Sequence, residues 1–401
     1  MSTNEKMIPL SVPVLRGNEW KYVKECLDTN WVSYVGPFVE RFEKDLAEKA
    51  GAKQSVATAS GTAALHIALV LAGVSPNDEV VMPGTTFVAP ANAVRYCAAW
   101  PALVDISDLD WQINVNQMAD FLSRGCSVQN GQLCNKVTGR RVAALMPVHL
   151  LGGMCDLDAV AELATRYELP LIEDAAECLG ATYKGRAIGA PCPAYRGPLR
   201  LVATSFNGNK IVTTGGGGAI FSDDQVLAAR AKHLTTTAKA DKIEFVHDEV
   251  GYNYRLTNIA AALGVAQLEQ LQDYVKAKRN IARRYAALFA GCNGIELHPE
   301  PLGCQSTFWM YTVKLNRPAR PVIDRLIDRG IMARPIWVPL HRLPVFKNVF
   351  DAGSTVANDL YGHAVSLPCS VGITDSEIRK VAKELVLVLD AKPQPLTTTP
   401  S

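Results

Sequence analysis

The chain has 401 residues, of which 48% are hydrophobic and 20% are charged, and its formal net charge is +2. This composition is typical of a globular protein and excludes a disordered or fibrous one. The near-neutral charge, without a run of lysine or arginine, argues against nucleic acid or a membrane surface as a partner.

The sequence pattern predicts no targeting segment and no metal site. The first residues, MSTNEKMIPLSVP, lack the apolar segment of a secretory signal, and no apolar run reaches the ~18 residues of a membrane span. The ten cysteines are scattered without a CxxC pair, which argues against a zinc site or a disulfide framework. Cys126 and Cys134 flank a hairpin-like stretch and are expected to be free thiols. We therefore expect a cytoplasmic protein.

The first half of the chain alternates short apolar runs, typical of strands, with segments that have helical spacing. The predicted strands are residues 54–60, 78–84, 101–106, 142–150, 169–175, 201–206 and 217–223. The predicted helices among them are residues 61–74, 85–98 and 157–168. This alternation predicts an α/β fold with a mostly parallel central sheet flanked by helices. Ligands of such sheets bind where the carboxyl ends of strands lead into helices.

The second half predicts a smaller α+β unit. Residues 256–291 form a long helical pattern, broken near residue 273, and a strand at 309–316 and a helix at 321–331 follow. A final helix starts at Thr374, where Thr374 and Glu377 form a capping-box pattern. The predicted divisions are a large domain at 1–270, a small C-terminal domain at 271–390 and a disordered Pro/Thr-rich tail at 391–401.

Polar residues follow three of the predicted strands. Ser60, Gly61 and Thr62 come after the first one and open a helix, which is typical either of a phosphate cradle or of a plain N-cap by Ser60. Glu173, Asp174 and Glu177 follow the apolar run LPLI, residues 169–172, of the strand 169–175. A carboxylate that points inward there requires a cationic partner, whereas one in a solvated turn does not.

Lys210 follows the strand 201–206 within an otherwise uncharged run, SFNGNKIVTTGGGG. A Walker phosphate loop requires GxxxxGK[ST], and here Ile211 follows the lysine, so that interpretation fails. A snorkelling surface lysine is the plain alternative. The remaining use is an amine nucleophile that forms a Schiff base. A phosphate cradle, a buried carboxylate and such a lysine together indicate pyridoxal 5′-phosphate (PLP).

These motifs resemble those of PLP-dependent aminotransferases of fold type I and, more narrowly, the nucleotide-sugar aminotransferases of the DegT/DnrJ/EryC1/StrS family. The resemblance covers roughly residues 8–390 and implies that family's fold. The motifs that carry it are SGTAALHIAL (60–69), DEVVMPGTTFVAPANAV (78–94), IEDAAECLGA (172–181), SFNGNK with TTGGGGAI (205–220), GYNYRLTNIAAALGVAQLE (251–269) and RPIWVPLH (334–341). Residues 27–43 and 233–240 further resemble a branch that acts on UDP-linked 4-keto-6-deoxy-N-acetylhexosamines in bacillosamine- and legionaminic-acid-type pathways.

The resemblance implies a role for each matching residue. Lys210 would bind the PLP aldehyde and move the proton, while Asp174 would pair with the pyridinium nitrogen. Phe87 would stack on the ring, although without the motif it would be interpreted as a core phenylalanine. The phosphate contacts would be Gly61, Thr62 and Ser205, with Asn253 reaching in from the second subunit of a homodimer with shared active sites. Glu177 stands where many relatives have glutamine near the ring hydroxyl.

The substrate side is less specified. Arg255 and His341 would lie near the sugar nucleotide or the glutamate carboxylate, or else have packing roles, and Trp31 and Ser33 would line the same mouth. His149 is a weaker candidate, with a structural role equally open. The loop at residues 190–200 is richer in Pro and Arg than the family's usual connection and is expected to affect substrate access.

The implied reaction is transfer of an amino group from L-glutamate to C4 of a UDP-2-acetamido-4-keto-2,6-dideoxyhexose, for surface-glycan biosynthesis. The alternatives are amination at C3, a dTDP- or GDP-linked keto sugar, or a non-catalytic PLP-fold regulator. Lys210 argues against the related dehydratases, which have histidine at that position.

Overall fold

The computed structural model describes residues 7–241 and 243–390. The predicted tail at 391–401 lies outside the described residues. The helices within the described residues are α1 (Glu19–Asp28), α2 (Pro37–Ala50), α3 (Gly61–Leu71), α4 (Val88–Tyr96), α5 (Val115–Asp120), α6 (Leu157–Arg166), α7 (Gln225–Thr235), α8 (Asn258–Leu268), α9 (Leu271–Phe289), α10 (Ala319–Asp328), α11 (Thr355–His363) and α12 (Asp375–Asp390).

The strands are short, and most of them belong to one central sheet. They are β1 (Gln54–Thr58), β2 (Glu79–Pro83), β3 (Trp100–Val104), β4 (Cys126–Gln129), β5 (Gln132–Asn135), β6 (Val142–Leu145), β7 (Leu171–Asp174), β8 (Thr182–Tyr183), β9 (Arg186–Ala187), β10 (Arg200–Ser205), β11 (Gly218–Ser222), β12 (Ile295–Glu296), β13 (Cys304–Gln305), β14 (Tyr311–Leu315), β15 (Phe350–Asp351) and β16 (Ala364–Leu367).

The central sheet has eight strands in the order β1-β11-β10-β7-β6-β2-β3-β15. Only β11 runs antiparallel to its two neighbours, and the remaining pairs are parallel. Seven strands therefore point in one direction, and their carboxyl ends share one edge of the sheet. The predicted mostly parallel α/β sheet is confirmed, and that edge is where such sheets bind ligands.

Helices cover both faces of this sheet, because its strands are apolar on both sides. Along β2, Val81 belongs to one buried cluster, whereas Val80 and Met82 belong to a second one. Successive side chains of a strand point to opposite faces, so a strand buried on both faces reads as a continuous apolar run. This explains why VVMP in β2 shows no polar alternation.

The C-terminal part forms a three-stranded sheet, β12-β14-β16, with helices packed against it. The predicted capping box is present, since Thr374 N–H donates to Glu377 Oε2 at 2.8 Å and Glu377 N–H donates to Thr374 Oγ1 at 3.3 Å. Backbone pairings connect this part with the rest of the chain. Ile8 bridges Ile331, β13 pairs with β8, and β15 pairs with β3 in the central sheet.

One local boundary differs from the prediction, and the expectation of free thiols at Cys126 and Cys134 is confirmed. The long helical pattern breaks at residues 269–270, between α8 and α9, rather than near residue 273. Cys126 and Cys134 are free and buried, but they are not cross-strand partners, because Cys126 faces Asn135. Within the described residues, no helix has the length and apolarity needed to cross a membrane.

The loop at residues 190–200 lies at the amino edge of the sheet, opposite the carboxyl ends. Its Tyr195 hydroxyl contacts the carbonyls of Leu169 and Leu199, which precede β7 and β10. The expectation that this loop affects access to its own chain's site is wrong, since it packs beside α6 and away from that edge.

Candidate active site

A cavity of about 280 Å³ opens at the carboxyl edge of the central sheet. The strands β1, β2, β7 and β10 end there, so residues that are far apart in sequence meet around it. The predicted site residues that line it are Gly61, Thr62, Phe87, Asp174, Glu177, Ser205 and Lys210.

The start of α3 forms an anion cradle on one side of the cavity. Ser60 Oγ accepts a hydrogen bond from Ala63 N–H at 3.1 Å, so the serine does cap the helix. The N–H groups of a first helical turn have no intrahelical acceptors and carry partial positive charge. A Cβ atom on Gly61 would lie 2.8 Å from Ser205 Cβ, so only glycine lets this turn approach Ser205. The two interpretations of residues 60–62 are therefore compatible, because Ser60 caps α3 and the first turn of α3 can still hold an anion.

Asp174 ends β7 with its carboxylate directed into the cavity. Its Oδ1 accepts a hydrogen bond from Ala176 N–H at 2.9 Å. Burial raises the pKa of Asp174, while that hydrogen bond and the positive charge of Lys210 act in the opposite direction. The side chain is thus a buried acid that gains from a cation beside it.

Lys210 follows β10 and is largely buried, which excludes the snorkelling alternative. Its Nζ lies 4.0 Å from the centroid of the Trp309 ring, a cation–π contact. Trp309 Nε1–H donates to the carbonyl of Asn209 at 2.7 Å and thereby holds the loop that carries the lysine. The ammonium of Lys278, itself buried, donates to the Trp309 carbonyl at 2.8 Å.

Glu177 is a second buried acid beside the lysine. Its Oε1 lies 3.7 Å from Lys210 Nζ, and its Oε2 accepts a hydrogen bond from Leu151 N–H at 2.8 Å. Burial raises the pKa of Glu177 to about 7, against the influence of the lysine. Burial therefore favours the protonated form of this carboxyl group more than it would be favoured in water.

Phe87 precedes α4, lines the cavity and is 54% exposed as a residue. A core role for Phe87 is excluded by this exposure. A ring face open to a cavity can stack on a flat heteroaromatic group.

The neighbouring residue Glu173 points away from the cavity into a buried ionic cluster. Arg200 Nε donates to Glu173 Oε1 at 2.6 Å, and His149 Nε2 lies 3.0 Å from Glu173 Oε2. Burial opposes ionisation of Glu173, but Arg200 and His149 outweigh it and lower its pKa. His149 Nδ1 accepts from Cys155 N–H at 3.3 Å, so both ring nitrogens are used and His149 is structural.

Three predicted substrate residues lie near one another but outside the cavity lining. The backbone carbonyls of Trp31 and Ser33 both accept hydrogen bonds from Asn258 at the start of α8. The Arg255 guanidinium lies 4.1 Å from the centroid of the Tyr34 ring. We call residues 31–35 with Arg255 the α1–α2 loop patch.

The other two predicted residues are also outside the lining. Asn253 is exposed, and its backbone pairs with Thr236. His341 Nδ1 lies 3.5 Å from Asp351 in β15 and is not among the lining residues, so its role at the substrate stays a prediction beside the packing role. Trp337, four residues earlier in the same motif, lines the cavity instead.

Sequence reasoning missed several lining residues. They are Thr86, Asn207, Asn209, Trp309 and Trp337. The two asparagines lie within the quoted motif SFNGNK and could have been found from it. Trp309 could not, because its contact with Lys210 arises from packing between distant segments.

The side chains around the cavity fit PLP. The cradle at Gly61 is too close to Ser205 for a side chain and offers N–H donors to a phosphate. The buried acid Asp174 suits a protonated ring nitrogen, the Phe87 face suits the ring, and Lys210 supplies the amine.

Comparisons with known proteins identify relatives of this chain over nearly its whole length. GDP-perosamine synthase of Caulobacter vibrioides is 36% identical over 389 residues, covering 95% of this chain and 98% of that protein. A Bacillus subtilis protein named "Putative pyridoxal phosphate-dependent aminotransferase EpsN" is 36% identical over 388 residues, with 95% of each chain covered. The crystal structure of the aminotransferase TlmJ from Streptoalloteichus hindustanus superposes with a TM-score of 0.85 at 29% identity, over 96% of this chain and 99% of that one.

A family model matches residues 13–386, which is nearly all of the described chain. The chain therefore belongs to the DegT/DnrJ/EryC1/StrS aminotransferase family, whose members depend on PLP and act on nucleotide-linked sugars.

Proposed function

We propose that this nucleotide-sugar aminotransferase moves the amino group of L-glutamate to C4 of a GDP-linked 4-keto-6-deoxy sugar, in surface-glycan biosynthesis. The choice of GDP as the nucleotide rests on the 36% identity with a GDP-perosamine synthase over nearly the whole of both chains. The UDP-linked N-acetylhexosamine implied by residues 27–43 and 233–240 becomes the competing substrate. The bacillosamine-type branch remains a prediction.

The residues of the cavity have distinct roles in this proposal. PLP supplies an electron-withdrawing ring that stabilises negative charge at the carbon bearing the amino group. Lys210 Nζ anchors the cofactor and moves the proton at that carbon, as its position in the cavity allows. Asp174 keeps the ring nitrogen protonated, and the start of α3 with Ser205 holds the phosphate.

We further propose a homodimer in which Asn253 of one subunit contacts the cofactor phosphate of the other. The α1–α2 loop patch supports this proposal, because Trp31, Val32 and Val35 are exposed apolar side chains. Ile243, Phe245 and Val250 are exposed as well. Apolar surface of this extent is typical of an interface between subunits. Arg255 would then bind substrate at the joint site.

A panel of nucleotide sugars tests the proposal. The protein is mixed with PLP, L-glutamate and the GDP-, UDP- or dTDP-linked 4-keto-6-deoxy sugar, and the product is analysed by mass spectrometry and NMR. We expect the highest kcat/KM with the GDP sugar and an amino group at C4. A higher kcat/KM with the UDP sugar would restore the sequence-based assignment, and a C3 product would contradict the position.

The visible absorption of the protein separates an enzyme from a non-catalytic PLP-fold regulator. The holoenzyme is expected to be yellow, and L-glutamate alone should bleach this colour because the amino group passes to the cofactor. A protein that binds PLP but does not bleach with any amino donor would support the regulator.

The cradle gives a separate prediction for Gly61→Ala. The added Cβ would lie 2.8 Å from Ser205 Cβ, so the start of α3 must move away from Ser205. Overpacking costs about 1–3 kcal/mol, so we expect the Kd for PLP to rise by roughly 5- to 150-fold. The measurement is a fluorescence titration of the apoprotein with PLP.

Gly362→Ala is the matched control, because a Cβ atom there would have no neighbour within 4 Å. This control should bind PLP as the unmodified chain does. An unchanged Kd in Gly61→Ala would show that the phosphate does not lie against this helix turn.

A further inference from the structure

Glu177 and Trp309 hold the amine of Lys210 from two sides. The Glu177 carboxylate oxygen Oε1 is 3.7 Å from Lys210 Nζ, and the Trp309 ring centroid is 4.0 Å from it. Both contacts favour a positively charged amine, because a carboxylate and a π face each attract a cation. The chain thus has a defined position for the Lys210 ammonium when the lysine is not bonded to the cofactor.

The carboxyl group of Glu177 is fixed rather than adjustable. Leu151 N–H donates to Oε2 at 2.8 Å, which leaves Oε1 facing the lysine. The charges that act on Glu177 come from two sides. Lys210, in the loop after β10, favours the ionised form, and Asp174 at the end of β7 opposes it. Glu173, the other nearby acid, is paired with Arg200 and hydrogen-bonded to His149.

The protonation of Glu177 depends on the charge of Lys210. Burial raises the pKa of Glu177 to about 7 even while the lysine charge lowers it. If Lys210 loses its charge, this stabilisation of the carboxylate disappears while the burial and the negative charge of Asp174 remain. The proton affinity of Glu177 must then increase further.

The lysine changes its charge in every catalytic cycle of an aminotransferase. Once the amino donor has displaced it from the cofactor, its amine must be uncharged to take a proton from the carbon that bears the amino group, and it is an ammonium until it returns that proton. An uncompensated charge in a buried cavity is costly, so a nearby group that titrates in the opposite sense stabilises both states.

We propose that Glu177 is the proton partner of Lys210: Oε1 takes up a proton when the amine loses its charge and gives it back when the ammonium forms again. The transfer breaks one N–H bond and forms one O–H bond, and the reverse step restores both, so no further reactant is needed. Glu177 is a positioning and proton-holding residue in this proposal. The inference rests on the amino-transfer chemistry of the family and not on the choice of nucleotide sugar.

A plain hydrogen-bonding role is the alternative, and Glu177→Gln separates the two. Glutamine keeps the size of the side chain and an oxygen that can accept from Leu151 N–H, but it cannot take up a proton. Under the alternative, this variant would behave as the unmodified chain does in any measurement of bound protons.

The test counts the protons that are exchanged when PLP binds to the apoprotein. Calorimetric titrations near pH 7, in two buffers of different ionisation enthalpy, give this number without any sugar or amino donor. In the unmodified chain, Glu177 takes up part of the proton that Lys210 loses. We therefore expect Glu177→Gln to release more protons per PLP, by up to about one.

Glu162→Gln is the matched control, since Glu162 is an exposed acid on α6. It should give the proton count of the unmodified chain. Equal counts for Glu177→Gln and the unmodified chain would overturn the proposal. Circular dichroism of each variant verifies that it is folded.

The rate at which the Lys210 amine is chemically labelled, compared between Glu177→Gln and Glu177→Asp, provides an independent measurement. Acetylation of Lys210 in the apoprotein at fixed pH, followed by mass spectrometry, reports how much of the amine is uncharged. Glu177 Oε1 is the carboxylate oxygen beside Lys210 Nζ, at 3.7 Å, so we expect Glu177→Gln to be labelled faster than the unmodified chain. The labelling rate of Glu177→Asp, which keeps a carboxylate, should lie between the rates of the unmodified chain and of Glu177→Gln. Equal rates for the Asp and Gln variants would assign the effect to packing and overturn the role of charge.

Discussion

Lys210→Ala is expected to lose amino transfer almost entirely. Lys210 Nζ is the amine that lines the cavity beside Asp174, and its removal takes away both the anchor of the cofactor and the group that moves the proton. General acid–base catalysis alone contributes roughly 10²- to 10⁴-fold, so kcat should fall by at least this factor. The measurement is the rate of amino-sugar formation from L-glutamate, followed by mass spectrometry.

Two comparisons make this result specific. Lys24→Ala removes an exposed lysine of α1, which is paired with Asp28 at the surface, and should retain full activity. A small primary amine added to Lys210→Ala should restore part of the rate, because it can occupy the space left by the side chain and carry the proton. Full activity of Lys210→Ala without added amine would refute the assignment of the site.

Asp174→Asn is expected to reduce kcat by roughly 10²- to 10³-fold, the usual effect of removing one charge-stabilising group from an active site. Asparagine keeps the size of the side chain and the oxygen that accepts from Ala176 N–H, but it has no negative charge to hold a proton on the ring nitrogen. The loss should appear in the half-reaction with L-glutamate, which stopped-flow absorbance measures.

The pH dependence of PLP binding gives a second readout for Asp174. Burial raises the pKa of this carboxyl group in the chain alone, and a cation bound beside it acts to lower that pKa. An acid stabilised in its ionised form loses this contribution as the pH falls through its pKa, so PLP binding by the unmodified chain should weaken toward acid pH. Asp174→Asn should lose this part of the pH dependence. Asp28→Asn, at the exposed surface of α1, should keep it.

The sequence predicted the central sheet and seven of the residues that line the cavity, because these depend on local patterns. Apolar runs such as LVATSF predicted strands, and the direction of parallel strands brought the residues that follow them to one edge. This reasoning is sufficient for Gly61, Asp174, Ser205 and Lys210, since each stands at or just beyond the carboxyl end of its strand or in the loop that follows.

The rest could not be predicted from local patterns, because it depends on contacts between distant segments. Trp309 reaches Lys210 from a segment about a hundred residues away, and no periodicity indicates this. Within the motif RPIWVPLH, the sequence could not decide which side chain faces the cavity. Leu340 N–H donates to the Gly84 carbonyl at 2.8 Å, Trp337 before it lines the cavity, and His341 after it lies beside Asp351.

The pairing of β15 with β3 has a consequence for synthesis on the ribosome. Until residues 350–351 have emerged, β3 is the outermost strand, and its unpaired backbone groups are open to pairing with another nascent chain. The indole that contacts the catalytic amine also arrives late, with residue 309. A fragment released before this point would therefore have an unpaired edge strand, β3, and an incomplete cofactor site. We expect such a fragment to aggregate rather than to act as a partial enzyme.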